Sequence, residues 1–185
     1  MHLKLAKTLA FLLLLTGAAA TASAQALTGE EIKTTFVTEW ERAKAYTQEY
    51  LNAMPADKYS TKAVDSIRSF AQQMLHLASA NIGLIGAATG EKPVNFPGRG
   101  LENSPTAQSK DSVVYYVNAS YDFAIQSIKK VDPNKLGETI HVGQLPPTTR
   151  YAMLLKAFEH QTHHRGQTTI YIRLQGIRPP QEKLF

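Results

Sequence analysis

Apolar residues recur at alternating spacings of four and three in four separate stretches of this chain. Such spacing lines one face of a helix. In the first stretch the face is Phe36, Trp40, Ala43, Thr47, Tyr50 and Met54, while Glu39, Glu41, Arg42, Lys44 and Glu49 fall elsewhere and are expected in solvent. Thr28-Gly29-Glu30-Glu31 reads as a capping box ahead of it, and Pro55 ends the helix. Residues 55–60 make a short connection, which favours an antiparallel second helix over about 62–88. That helix carries an apolar stripe of Ile67, Ala71, Met74, Ala78, Asn81 and Ile85. Beside it runs a stripe that is polar or small along its length: Ser69, Gln73, His76, Ala80, Gly83 and Ala87.

Ser104-Pro105, a capping residue followed by proline at the first helical position, predicts the start of a third helix. Its face is Val114, Val117, Tyr121, Ala124, Ile128 and Val131, and Asp132-Pro133-Asn134 closes it. Thr148 or Thr149 caps a fourth helix that runs to Gln175 and stops at Gly176, with Pro179-Pro180 behind. Two connections are long. Residues 89–103 are dense in Gly, Pro and Asn, and either fold Phe96 and Arg99 over a pocket mouth or form a disordered crossover with no binding role. In residues 135–147 the β-branched run around Thr139-Ile140-His141-Val142 can pair briefly as a strand, with His141 exposed. Four amphipathic helices without a convincing sheet predict an all-α four-helix bundle, a fold that builds metal sites from side chains on facing helices.

The fourth helix changes the picture from architecture to chemistry. Its stripe is Met153, Ala157, His160, His164, Gln167, Tyr171 and Leu174, apolar at both ends with two imidazoles in the middle. Two His at i and i+4 can reach one metal ion, and neutral imidazole suits Zn, Ni, Cu and Fe. The pair equally fits core or rim histidines satisfied by hydrogen bonds. His76 reads as a half-buried side chain or, because its neighbours are small enough to leave room for an ion, as a third ligand. His163 falls on a mixed stripe and is expected at the rim.

Composition narrows the chemistry. There is no cysteine, hence no disulfide, thiolate nucleophile or Cys-ligated zinc. Residues 1–24 read as a secretory signal: Lys4 and Lys7, an apolar run Leu9 to Leu15, and a small-x-small site at Ala22-Ser23-Ala24. Residues 25–185 are then expected to form one domain, exported to the periplasm or secreted, with no stable membrane insertion after cleavage. Taking Lys4 and Lys7 from the 20 basic residues leaves 18 against 15 acidic ones, a net charge of +3. That is too mild and too evenly spread to argue for nucleic acid.

His160-Gln-Thr-His-His164-Arg-Gly-Gln167 with Tyr171-Ile-Arg173-Leu-Gln-Gly176-Ile-Arg-Pro-Pro180 resembles the last helix of the DinB-like (DinB/YfiT) metal-binding bundles. Leu75-His76-Leu77-Ala78-Ser79-Ala80-Asn81 resembles the second-helix motif of the same family, and the resemblance covers essentially all of residues 25–185. It implies a four-helix bundle with a long crossover connection. It also implies a divalent metal, Zn or Ni first and Fe, Mn or Cu after them, held by His76, His160 and His164. A homodimer is a further implication. Gln167, His163 and Gln73 are the candidates to touch a bound ligand or support the ligating rings. Gly166 is expected to let a neighbouring helix approach.

Three neutral His leave a divalent ion at +2 with at least one coordination position open, the pattern of a catalytic rather than a closed structural site. The pattern is not His-Glu-x-x-His, and Glu159 points about 100° away from His160 on the helix, so a protease-like general base is missing. Some members of the family resemble thiol-dependent transferases, and here the thiol would have to be a small molecule. The expected function is therefore a metal-dependent transferase or hydrolase acting on a small-molecule substrate. The alternative is a non-catalytic metal- or ligand-binding bundle.

Overall fold

The capping box at Thr28 starts the first helix as read: its side chain accepts from the Glu31 amide at 3.2 Å, and the Glu31 carboxylate takes the Thr28 amide at 2.8 Å. The computed structural model describes residues 26–98 and 100–185, so the expected signal segment and Arg99 lie outside it. Helix α1 is Gly29–Ala53, and all six residues of its predicted face are buried. Trp40 is fully buried, with its ring 5.6 Å from Tyr121 and edge-on to Phe158 at 5.8 Å. Burial of an aromatic this large is among the strongest single contributions to such a core.

Helix α2 is Phe70–Thr89 and begins later than predicted. The reason is a second capping box: Ser69 Oγ accepts from the Gln72 amide, and Gln72 returns the bond to the Ser69 amide. Residues 61–69 form an irregular strap instead, tied by Phe70 N to Thr61 O and by the Tyr171 hydroxyl to Arg68 O. Ile67, expected on the buried stripe, is 37% exposed in that strap. With this longer connection α2 crosses the bundle and is not packed beside α1. It packs against the third and fourth helices, as does α1.

Helix α3 is Lys110–Lys130, capped by Ser109. The Ser104-Pro105 signal opens only one 3-10 turn, Pro105–Ala107, and Val113 rather than Val114 leads the buried face. Strand β1, Thr139–Ile140, pairs antiparallel with β2, Thr148–Thr149, while His141 is exposed. Thr149 caps helix α4, Arg150–Arg173. Gly176 then turns the chain with φ 72°, a left-handed backbone that glycine adopts without strain. Leu174 at the end of the predicted stripe is 55% exposed.

Helices α2 and α4 run antiparallel: Arg150 Nη1 donates to Ala88 O at one end, and Tyr171 reaches Arg68 O at the other. Gly29 is the glycine that close packing requires, since a Cβ there would run into the Pro133 carbonyl oxygen. Gly166 has no such role. Nothing lies within 4 Å of where its Cβ would be, and no helix approaches it. Among the described residues no helix is long and apolar enough to cross a membrane.

Candidate metal centre

The small stripe of α2 and the imidazole stripe of α4 face one another, and this brings three rings together. One ring nitrogen from each of His76, His160 and His164 lies within 4.8 Å of the other two. Ring centroids are 4.4 Å apart for His160 and His164, 4.6 Å for His76 and His164, and 5.2 Å for His76 and His160. Nitrogens about 2.1 Å from one tetrahedral ion stand roughly 3.4 Å apart. Small rotations of the side chains close that difference.

The hydrogen bonds behind the rings decide which nitrogens are free. His76 Nδ1 lies 3.2 Å from Glu102 Oε1. Burial works to raise the Glu102 carboxyl, but its own backbone amide, the His76 ring and Arg68 outweigh burial and hold it below the ordinary value. An ionised carboxylate only accepts, so His76 Nδ1 donates and Nε2 is the nitrogen left to face an ion. His164 Nδ1 lies 2.9 Å from Gln73 Oε1, which likewise accepts and leaves Nε2 free. Ligating imidazoles are commonly oriented in this way. His160 Nδ1 is buried and has no partner among the described residues. Burial, then the neighbouring His76, His163 and Arg68, push His160 down to about 4. Burial, then the other histidines and Arg68, push His164 down to about 3. Both rings are therefore neutral near pH 7, the form that binds a cation. The donor set, the two fixed tautomers and the orphaned nitrogen all fit a divalent ion.

Each of the three rings lines one of two clefts. A cleft of about 640 Å³ is lined by His164, Gln73, Gln167, His163 and the strap, including Lys62 and Arg68. A second, of about 480 Å³, is lined by His76, His160, Glu102, Gly83, Leu84 and Leu145. Gln167 and His163 are exposed at the rim of the first, with the His163 ring edge-on to His164 at 5.0 Å. Phe96 takes no part: it packs edge-on against Tyr116 of α3, and Gly100 and Glu102 are the loop residues that reach the site. Glu159 faces a separate surface depression with Leu155, Phe158 and Thr162, away from the three rings.

Two contributions escaped the sequence reading. Glu102 sits in a one-turn 3-10 helix, Leu101–Asn103, which Gly100 opens at φ 91° and buried Leu101 anchors. Nothing in the spacing of a Gly- and Pro-rich loop ties that carboxylate to His76. The other is the far face of α4, where Gln161, Arg165, Thr168 and Ile172 are buried. Arg165 Nη1 donates to Gln161 Oε1 at 2.9 Å, and the Tyr121 hydroxyl donates to the same oxygen at 2.8 Å. Thr47 Oγ1 stands 2.8 Å from Tyr121 Oη, and the guanidinium lies over the Tyr46 ring at 4.6 Å. This polar layer fixes the rotation of α4 about its axis and so sets where His160 and His164 point. Its four-three-four spacing was present in the sequence, but Arg165 did not look like a core residue because buried charges are rare.

The comparisons with known proteins agree with this fold. Residues 26–184 match the DinB family. The uncharacterized protein YrdA of Bacillus subtilis (strain 168) is 25% identical over 147 residues, which cover 78% of this chain and 84% of YrdA. A DinB-like protein from Bacillus cereus ATCC 10987 superposes with a TM-score of 0.67 at 20% identity, over 80% of this chain and 95% of that one. The DinB-like protein YjoA from Bacillus subtilis gives 0.60 at 17% identity, over 82% and 96%. At those identities the structures speak for the fold alone, while the match over nearly all of residues 25–185 speaks for descent: this chain belongs to the DinB family.

Proposed function

We propose that this protein is exported after loss of residues 1–24, and that it binds one divalent cation through His76, His160 and His164. In this reading it uses an open coordination position for a metal-dependent transfer between small molecules, one of them a thiol. The observation that carries the reading is the convergence of the three rings, two of them already fixed in the ligating tautomer by Glu102 and Gln73. Bound there, a divalent ion would supply a Lewis-acid centre able to polarise a carbonyl or to favour the thiolate form of a thiol. Glu102 and Gln73 orient the rings, and the two clefts give reactants access to them. Glu102 is engaged with His76 and Glu159 faces elsewhere. Thiol transfer suits such a site better than hydrolysis, because lowering the thiol pKa removes the need for a general base.

The test is metal content by plasma mass spectrometry on residues 25–185 without a His tag, beside His160→Ala. About one equivalent of Zn or Ni, lost in the variant, is expected. A protein that takes up neither ion after incubation would end the metal reading. Thiol-dependent turnover of an electrophile by the loaded protein, absent from His160→Ala, would establish catalysis. A loaded protein without turnover for any thiol would leave a metal- and ligand-binding bundle.

A further inference from the structure

The two clefts beside the histidines differ in kind. The larger one is polar and carries Lys62 and Arg68 against a single acid, Asp65, on its lining. Among the described residues the Arg68 guanidinium donates no hydrogen bond. Its nearest carboxylate oxygen, Glu102 Oε1, is 3.8 Å away and already bonded to His76. Lys62 Nζ reaches only the Asp65 carbonyl, at 3.4 Å. A half-exposed guanidinium with its planar fork unspent is suited to a carboxylate, which it grips with two parallel bonds. The smaller cleft is floored by Ala80, Gly83 and Leu84 of α2 and walled by Val142 and Leu145 from the connection before α4. Leu145 is 55% exposed, so apolar surface there stands open. Nothing lies within 4 Å of where a Cβ on Gly83 would be, so this floor is bare.

We infer that the site takes an amphipathic small molecule: its anionic group sits on Arg68 in the polar cleft, and its apolar part lies over Gly83 and Leu84 in the other. The inference rests on the metal reading, because it places the reacting centre of the molecule at the three histidines, of which His164 lines one cleft and His76 and His160 line the other. It narrows the substrate class from any small molecule to an acid with an apolar portion.

The probes are octanoate, acetate and octan-1-ol, titrated by calorimetry into the protein, once loaded with zinc and once stripped of metal. Octanoate is expected to bind about tenfold more tightly than either control, since only it carries both a carboxylate for Arg68 and an apolar chain for the other cleft. Arg68→Ala should bring octanoate down to the affinity of octan-1-ol. Gly83→Leu should bring it down to that of acetate, and the open space above Gly83 lets this variant fold. Equal binding of octanoate and acetate would overturn the inference. So would an octanoate advantage that appears only with zinc and survives Arg68→Ala, because the carboxylate would then be on the ion. Failure of the protein to retain zinc would sink the metal reading alone, and the titrations of the stripped protein would still decide the two clefts.

Discussion

Lowering the pH from 7 to 5 should destabilise the metal-free protein through His160 and His164. Both rings sit below the ordinary value of 6.5, one at about 4 and the other at about 3. Between those values and 6.5 the unfolded chain binds protons that the folded chain refuses. Stability is therefore complete above pH 6.5 and is lost as the pH falls towards 4 and then 3. Each pH unit in that window costs about 1.4 kcal/mol per histidine. By pH 5 that is about 2 kcal/mol per ring, or about 4 for the two. The clefts admit water to the rings and each proton bound discourages the next, so roughly half, about 2 kcal/mol, is the expected loss. Glu31 and Glu102, both held below their ordinary value by hydrogen bonds, add slope of the same sign only at the acid end of this range. The assay is urea unfolding of the chelator-treated protein, followed by the fluorescence of Trp40, the single tryptophan and fully buried. A loss of about 2 kcal/mol moves the urea midpoint by about 1 M. His164→Gln should roughly halve the slope of midpoint against pH. A midpoint constant between pH 7 and 5, or a His164→Gln protein with the wild-type slope, would refute the reasoning.

Glu102→Gln removes the charge that fixes the His76 tautomer and should weaken zinc binding by about ten- to a hundredfold in competition with a chromophoric chelator; unchanged affinity would detach Glu102 from the site. Tyr121→Phe leaves Gln161 and Thr47 short of a buried partner and should cost about 1–2 kcal/mol in urea unfolding, and a neutral result would mean that the polar layer re-pairs without it. Gly166→Ala should stabilise by about 1 kcal/mol, because the position is exposed, helical and open around the added methyl. Destabilisation there would restore the close helix approach that the sequence suggested.

The legible parts were those with a short-range physical signature. The Thr28 box, the Thr149 cap, the Gly176 stop and the α1 face all follow from residues within a turn or two of each other. The histidine pair shows at a spacing of four. Where the reading slipped, local signals competed. Ile67 looked like part of a helical stripe, but the reciprocal bonds of Ser69 and Gln72 outweigh it and postpone α2. Ser104-Pro105 looked like a helix start, but Ser109 caps the real one. Glu102 and Arg68 were not readable at all. Both lie on irregular segments, and their place beside the histidines depends on how the strap and the loop cross the ends of the bundle.

The bond from Gln73 to His164 joins residues 91 apart in the chain. An ion shared by α2 and α4 would tie the same two helices, and a cross-link closing a loop of that length removes chain entropy worth roughly 4–5 kcal/mol from the unfolded state. A cysteine-free protein has no disulfide staple to slow its unfolding. Coordination at these three imidazoles would serve as one, with the difference that it opens to a chelator or to acid and re-forms without an oxidant. Loss of the ion would then ease unfolding and expose the chain to proteolysis.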